Sequence, residues 1–197
     1  MMKTLTIACL TGAAMMTAAV AGTPVSAKNA KAPVAPAPAP ACAEGISYSN
    51  VGAAWEHTWI DGADDIDGVN LDLSYALIDR LYVRGTAAWA DWGGNDWGFT
   101  AGLGYGLPLM KNLDLVAEAG GIFDEESSGF YVYPHLRTKV GCLELHAGAK
   151  YINIDDYEAW EAHVAAYYEV APRVDLMVGG IFGEDASTLQ VGARLKF

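Results

Sequence analysis

Apolar and polar residues alternate along most of the chain from Gly45 to Phe197, and this is the period of a β-strand with one apolar and one polar face. The last ten residues, T-L-Q-V-G-A-R-L-K-F, show the alternation clearly. Five apolar side chains fall on one side of an extended strand there: Leu189, Val191, Ala193, Leu195 and Phe197. Short acidic, Gly or Pro clusters interrupt the alternation at regular intervals. The pattern therefore predicts an all-β domain.

The interruptions divide the domain into ten predicted strands, with eight as the alternative count. The predicted strands cover residues 47–60, 69–77, 80–90, 97–107, 113–123, 130–140, 143–154, 157–170, 174–182 and 188–197. Each is close to the ~9–11 residues that a tilted strand needs to cross a bilayer. An even number of strands also brings both ends of the domain to the same side. We therefore predict an antiparallel up-and-down transmembrane β-barrel over residues 45–197.

The connections between these strands alternate between two kinds. Residues 78–79, 109–112, 141–142 and 171–173 form minimal turns, whereas the other connections are longer, acidic and free of Lys and Arg. Fourteen acidic residues lie in the longer set: Asp61, Asp64, Asp65, Asp67, Asp91, Asp96, Asp124, Glu125, Glu126, Asp155, Asp156, Glu158, Glu184 and Asp185. A barrel places alternate hairpins on one rim, so we expect an acidic outer rim opposite a rim of short periplasmic turns.

Aromatic residues cluster at the strand ends, as expected for interfacial girdles. The set beside the acidic connections comprises Trp59, Trp89, Trp97, Phe123, Phe130, Tyr151, Trp160 and Phe182, and the set beside the short turns comprises Tyr75, Tyr105, Tyr168 and Phe197. Their shared placement favours a membrane barrel over a soluble periplasmic barrel, which is the alternative.

The final strand resembles the closing strand of bacterial outer-membrane β-barrels, in which a terminal G-x-x-apolar-x-Phe acts as an assembly signal. Gly192, Leu195 and Phe197 match that pattern. With the strand, connection and girdle patterns, the whole domain resembles a small outer-membrane barrel of the OmpA-like or OmpX-like kind. The resemblance implies a monomer in the outer membrane, with membrane lipid, lipopolysaccharide and the barrel assembly machinery as partners.

The start of the chain agrees with export. Lys3 and the apolar run that follows it read as a secretory signal peptide ending near Ala27, and residues 28–44 form an Ala/Pro-rich periplasmic linker. The formal net charge of −12 excludes a basic nucleic-acid surface. Cys9 leaves with the signal peptide, so Cys42 and Cys142 remain in an oxidising compartment and on the same side of the membrane. They are either two unrelated thiols or a disulfide.

If the apolar faces meet lipid, the polar faces line a lumen. The residues predicted to form a luminal charge network are Asp72, Arg84, Asp114, Glu118, His135, Arg137, Lys139, Glu144, Lys150, Glu161, His163, Asp175, Arg194 and Lys196. Hairpin pairing suggests six contacts across neighbouring strands: Asp72 with Arg84, Glu118 with His135, Asp114 with Lys139, Lys139 with Glu144, Lys150 with Glu161, and Asp175 with Lys196. The Gly-rich polar face of the fourth strand either admits bulky luminal groups or leaves a thin water path.

These patterns favour a non-enzymatic protein with a largely filled lumen and a structural or surface-interaction role, such as envelope integrity or adhesion. A narrow porin-like channel for small solutes or ions is the alternative. A barrel hydrolase is less favoured, because no inward Ser joins a His and an acid near the outer rim. No cofactor or metal site is predicted, since residues 61–68 lack the spacing of an EF-hand loop.

Overall fold

The computed structural model describes residues 42, 45–91, 95–124, 127–155 and 157–197. The predicted signal peptide, the linker other than Cys42, and Glu125, Glu126 and Asp156 lie outside these residues. The described residues form ten strands: β1 (Asn50–Ile60), β2 (Ile66–Ile78), β3 (Leu81–Asp91), β4 (Asn95–Met110), β5 (Leu113–Asp124), β6 (Ser128–Val140), β7 (Leu143–Ile154), β8 (Tyr157–Ala171), β9 (Val174–Phe182) and β10 (Ala186–Lys196). Among the described residues there is no helix long and apolar enough to cross a membrane.

The ten strands close into one antiparallel barrel in which each strand pairs with its neighbours in sequence and β1 pairs with β10. This confirms the ten-strand prediction and excludes eight strands. The register advances by about 12 residues on one circuit of the barrel, as expected for strands tilted by roughly 35–45°. A barrel of this size encloses a narrow lumen that side chains can fill.

Several strands are longer than the hydrophobic pattern predicted. β2 begins at Ile66, β4 runs to Met110 and β6 begins at Ser128. Asp67 and Asp124, which the sequence pattern places in acidic connections, belong instead to β2 and β5, where they pair with His57 and Gly98. The same holds for Asp91, Asp96 and Glu158, which belong to β3, β4 and β8. Backbone pairing continues past the last apolar residue of these hairpins, and hydropathy alone does not detect this extension.

The two ends of the barrel differ in their connections. The turn end carries the two-residue connections 79–80, 111–112, 141–142 and 172–173, together with the start of β1 and the end of β10. Arg80 and Arg173 adopt left-handed φ values of 64° and 69° in two of these turns, and the adjoining β2–β3 and β8–β9 ladders each carry a bulge. A left-handed residue beside a bulge is a standard way to close a tight hairpin. The loop end carries the acidic connections.

The faces of the sheet are inverted relative to a soluble protein. Leu71, Leu103 and Leu176 point outward and are each 54% exposed, whereas Glu144 and Asp175 point inward and are 2% exposed. The buried core of the molecule is therefore the polar lumen, and the exterior is a continuous apolar surface.

Candidate functional site

The lumen at the turn end holds seven charged side chains that we call the Glu144 cluster. Its members are Arg137, Lys139, Glu144, Glu169, Asp175, Arg194 and Lys196, each at most 8% exposed. Alternation along β6 to β10 points all seven inward, because they occupy the same parity as the other luminal positions of their strands. Charges this deeply buried are tolerated only when they are paired and hydrogen-bonded.

Glu144 is the centre of this cluster. Arg137 Nη2 donates to its Oε1 at 2.6 Å, and Arg194 Nη2 donates to its Oε2 at 2.5 Å. Arg194 also donates through Nε to Asp175 Oδ2 at 2.7 Å, so one guanidinium bridges two carboxylates. Both oxygens of Glu144 are therefore saturated by cations from different strands.

Two lysines extend the cluster toward the rim of the turn end. Lys196 Nζ lies 2.9 Å from Asp175 Oδ1 and 2.8 Å from Glu169 Oε2, and Lys139 Nζ lies 3.5 Å from the same oxygen of Glu169. The cluster thus links β6, β7, β8, β9 and β10 across the barrel interior.

A second group, the Glu118 cluster, occupies the opposite side of the lumen. Glu118 Oε2 accepts hydrogen bonds from Tyr82 Oη at 2.9 Å and Arg84 Nη1 at 3.4 Å, and its Oε1 accepts one from Tyr131 Oη at 2.8 Å. Arg84 Nε donates to Asp72 Oδ2 at 2.5 Å. This cluster connects β2, β3, β5 and β6.

Three tyrosine side chains fill the lumen beside the Gly-rich face of β4. Tyr131, Tyr82 and Tyr48 lie directly against Gly102, Gly104 and Gly106, and a Cβ atom at any of these glycines would overlap the adjacent tyrosine side chain. Of the two alternatives for this face, the structure shows the first, in which the glycines admit bulky groups.

The chain before β1 also enters the lumen. Gly45–Ser49, which we call the lumen segment, places Tyr48 inside the barrel, where Tyr48 Oη donates to Asp114 Oδ2 at 2.6 Å. Arg80 Nη1 donates to the other oxygen of Asp114 at 2.8 Å. Just before this segment, Cys42 forms a disulfide with Cys142 in the β6–β7 turn, with a Cα–Cα distance of 5.2 Å.

The loop-end half of the lumen is more open. Glu161 Oε2 lies 2.9 Å from His163 Nε2, Gln190 Nε2 donates to Glu56 Oε1 at 2.6 Å, and all four residues are only partly buried. Lys150 Nζ lies 4.9 Å from the centroid of the Tyr131 ring. A cavity of about 190 Å³ is lined by Lys150, His163 and Gln190 from this half and by Glu118, Arg137 and Arg194 from the two charged clusters.

The six predicted contacts have different outcomes. Asp72 forms an ion pair with Arg84, and Asp175 forms one with Lys196, as expected from the sequence. The pairs Lys139–Glu144 and Lys150–Glu161 are register partners, but the ammonium of Lys139 reaches Glu169 and that of Lys150 lies over Tyr131.

The remaining two expected contacts are replaced by others. Asp114 is bound by Tyr48 and Arg80 instead of Lys139. Glu118 is bound by tyrosines and Arg84, while His135 Nδ1 lies 3.3 Å from the carbonyl oxygen of Tyr133. Long side chains can reach beyond their register partner, so strand pairing alone does not fix these contacts.

At the loop end, His57 is the outward-facing ionisable residue of β1. Its Nδ1 lies 2.9 Å from Asp67 Oδ1, and its ring is stacked on Trp55 and edge-on to Trp59.

Asp124 is bound locally, since Ser127 donates to it from both N and Oγ. Asp61 donates its backbone N–H to the carbonyl of Asp185, linking two acidic connections. Asp64, Asp65 and Asp155 are exposed.

In the closing strand, Gly192 lies against the backbone of Ala53 and Ala54 of β1, where a Cβ atom would overlap it. Leu195 points outward, and Phe197 is exposed and stacked with Tyr75 at a centroid distance of 6.4 Å.

Sequence reasoning missed two contributors to the lumen, Tyr48 and Arg80. Tyr48 precedes the clear alternation of β1, but it shares the parity of the luminal Asn50, and that signal could have identified it. Arg80 begins the predicted strand 80–90 and shares the parity of the luminal Arg84, so the same signal could have identified it, although the structure places it in the β2–β3 turn with a φ of 64°.

Among the described residues, no group of three or more His, Cys, Asp or Glu side chains is arranged to hold a metal ion. The partners of His146 and His163 are Glu144, Arg137 and Glu161, so neither imidazole contacts a hydroxyl or thiol nucleophile in the described part of the chain. The arrangement provides structural ion pairing, and the described residues form no nucleophile–base pair around these imidazoles.

No protein-family model matches the sequence, and no curated protein sequence matches it. Solved structures of similar shape include outer-membrane β-barrel proteins. The KdgM porin is 10% identical with a TM-score of 0.49, covering 74% of this chain and 99% of that protein. An outer membrane channel from Pseudomonas putida F1 is 11% identical with a TM-score of 0.47, covering 77% and 96%. The Yersinia pestis outer membrane protein Ail is 12% identical with a TM-score of 0.41, covering 76% and 99%.

Proposed function

We propose that this chain is an integral outer-membrane β-barrel protein whose lumen is closed at the turn end and which serves a non-enzymatic structural or surface-interaction role. The observation that carries the proposal is the inverted barrel. Large apolar side chains cover the exterior while the buried core is charged. Such an exterior is stable in lipid, and in water it would aggregate.

The aromatic residues support the same membrane placement. Trp59, Trp89 and Trp97 are 46%, 45% and 44% exposed near the loop end, and Tyr75, Tyr105 and Phe197 are about half exposed near the turn end. Tryptophan and tyrosine favour the two membrane–water interfaces, so these rings mark the upper and lower limits of the embedded band.

The connections also support an orientation of the barrel in the membrane. The short turns correspond to the periplasmic side and the acidic connections to the outer surface, as in bacterial outer-membrane barrels. The acidic rim would then face the lipopolysaccharide and the medium, and divalent cations between carboxylates and lipid phosphates would allow surface contact without a dedicated metal site.

The closed lumen supports a structural role over transport. The Glu144 cluster and Tyr48 fill the turn-end half with side chains that are nearly inaccessible to solvent. A narrow channel is the second candidate, and the 190 Å³ cavity favours it, since that volume accommodates roughly six water molecules. For the channel to conduct, the turn-end side chains would have to move.

Lipid embedding is tested by tryptophan fluorescence in vesicles of lipids brominated along the acyl chain. We expect strong quenching from the outward Trp55, Trp59 and Trp160, and little quenching by aqueous iodide. Protein that remains soluble without detergent, with fluorescence insensitive to brominated lipid, would contradict membrane insertion.

The closed lumen is tested separately in planar bilayers. The oxidised protein is expected to give no steady conductance, whereas a large-pore porin reconstituted in the same way serves as the positive control. Steady openings of the unmodified, oxidised protein would favour the channel.

A further inference from the structure

The lumen segment lies inside the barrel at its turn end, which is the periplasmic mouth in the proposed orientation. The Tyr48 ring is stacked on Tyr82 at a centroid distance of 5.1 Å, and the Arg137 guanidinium lies 4.6 Å above it. Tyr48 is 7% exposed although it precedes the first strand. The ring also fills the space left by Gly106 on the facing wall.

The backbone of the lumen segment is held by luminal side chains. Arg137 Nη2 donates to the Ser47 carbonyl at 2.9 Å, and Ser74 Oγ donates to the Tyr48 carbonyl at 2.5 Å. Ser49 accepts the Ala76 N–H through Oγ at 3.0 Å and the Phe197 N–H through its carbonyl at 3.2 Å. These contacts tie the segment to β2, β6 and the end of the chain, and every one of them is noncovalent.

The disulfide adds a covalent anchor on the other side of the mouth. Cys42 precedes Tyr48 by only six residues, and Cys142 lies in the turn that follows the strand carrying Arg137. Both cysteines are partly exposed, so a small thiol can reach them. Because only five residues lie between Cys42 and Tyr48, the bond to the β6–β7 turn restricts how far the segment can move away from the mouth.

We propose that the lumen segment is a plug latched by the Cys42–Cys142 disulfide, and that a dithiol reductant releases it and converts the closed barrel into a conducting pore. The proposal rests on the membrane-embedded, closed barrel proposed above. In the redox step the dithiol supplies two electrons and two protons. It is oxidised to its own disulfide, the Cys42–Cys142 bond breaks, and each sulfur becomes a thiol. Tyr48 is then held only by contacts that exchange with water.

The test is single-channel recording of the refolded full chain, which includes Cys42, in planar bilayers with dithiothreitol added on either side. Oxidised wild-type protein should be silent. Dithiothreitol should raise its open-time fraction at least about tenfold, and removal of the reductant followed by oxidised glutathione should silence it again. This arm uses unmodified protein, so it does not depend on the folding of a variant.

Two variants separate the latch from the plug. The double substitution C42S/C142S should open without reductant and ignore dithiothreitol. Tyr48→Ala should open even with the disulfide intact, because it removes the ring that fills the mouth. Tyr105→Ala is the matched control, since this tyrosine lies at the same end of the barrel but points outward and is 49% exposed. It should stay silent.

Two results would overturn the proposal in distinguishable ways. If oxidised wild type is silent and stays silent in dithiothreitol while Tyr48→Ala opens, the segment is a plug but the disulfide is no latch. If Tyr48→Ala and the reduced protein are both silent, the mouth is sealed by the Glu144 cluster alone. Steady conductance of oxidised wild type would instead refute the closed lumen of the proposed function.

Discussion

Neutralising Glu144 is the most direct test of how the buried lumen stabilises this barrel. Glu144→Gln keeps the side-chain shape but removes the negative charge of the carboxylate. The oxygens of that carboxylate lie 2.5–2.7 Å from side-chain nitrogens of Arg137, Arg194 and His146. The side chain of Glu144 is only 2% exposed, so water cannot replace the lost charge. Breaking a buried pair from one side costs about 3–5 kcal/mol, because the partner charge remains buried without compensation. We expect the free energy of unfolding to fall by that amount.

The control is Glu161→Gln in the loop-end half of the lumen. The Glu161 side chain is 27% exposed, and one imidazole, that of His163, is its hydrogen-bond partner among the described residues. Because a partly solvated pair contributes little, the expected loss is under about 1 kcal/mol. Urea unfolding in lipid vesicles, followed by tryptophan fluorescence, measures both variants under identical conditions. Equal losses at the two sites, or no loss at Glu144, would refute the reasoning that burial and connectivity decide the energetics of the lumen.

Three further predictions follow from other parts of the barrel. Gly104→Ala should lose about 1–3 kcal/mol of unfolding free energy, because the new methyl group overlaps the buried Tyr82 ring. Gly85→Ala is the control and should be neutral, since its methyl group meets only a carbonyl oxygen at 3.6 Å. Equal urea midpoints for the two variants would contradict this. Deleting Phe197 should strongly lower the fraction of protein that assembles in cells, but should change the urea midpoint of refolded barrels little, since its ring is exposed and contacts Tyr75. A parallel loss of both quantities would assign Phe197 a stability role. Asp72→Asn should cost less than Glu118→Gln in the same unfolding assay, because among the described residues Asp72 accepts from Arg84, whereas Glu118 accepts from Tyr82, Tyr131 and Arg84. The reverse order would show that the number of partners is not decisive.

The barrel architecture could be predicted from the sequence because apolar and polar residues alternate along each strand and so define its two faces. Leu71 and Asp72 are adjacent and have opposite environments, and the same alternation recurs around the ring. The strand count followed from the interruptions, because a turn-forming or acidic residue lies in every connection: an acidic residue or Gly in most, Asn in 111–112 and Pro in 172–173. Strand limits were less predictable, as Asp67 shows, because backbone pairing does not require apolar side chains.

Within the lumen, it was easier to predict which residues point inward than which of them contact each other. The sequence indicates that Asp114 and Lys139 point inward, but the barrel stagger and the length of the lysine side chain decide that Lys139 reaches Glu169. Tyr48 then takes the place beside Asp114 from outside the predicted network. Contacts that depend on three or more strands at once cannot be read from the pairing of two.

The Cys42–Cys142 bond also divides the chain mechanically. It encloses β1 to β6 in a covalent ring, while β7 to β10 lie outside that ring. A force applied to the two termini of the oxidised protein would extend only the chain outside the ring. With a sequence separation of 100 between the cysteines, the ring would hold back about 330–360 Å of contour length until the bond is reduced. Hydrogen bonds make the barrel one closed sheet. Under tension, however, β7 to β10 can be pulled out and extended, whereas β1 to β6 stay within the disulfide-closed ring.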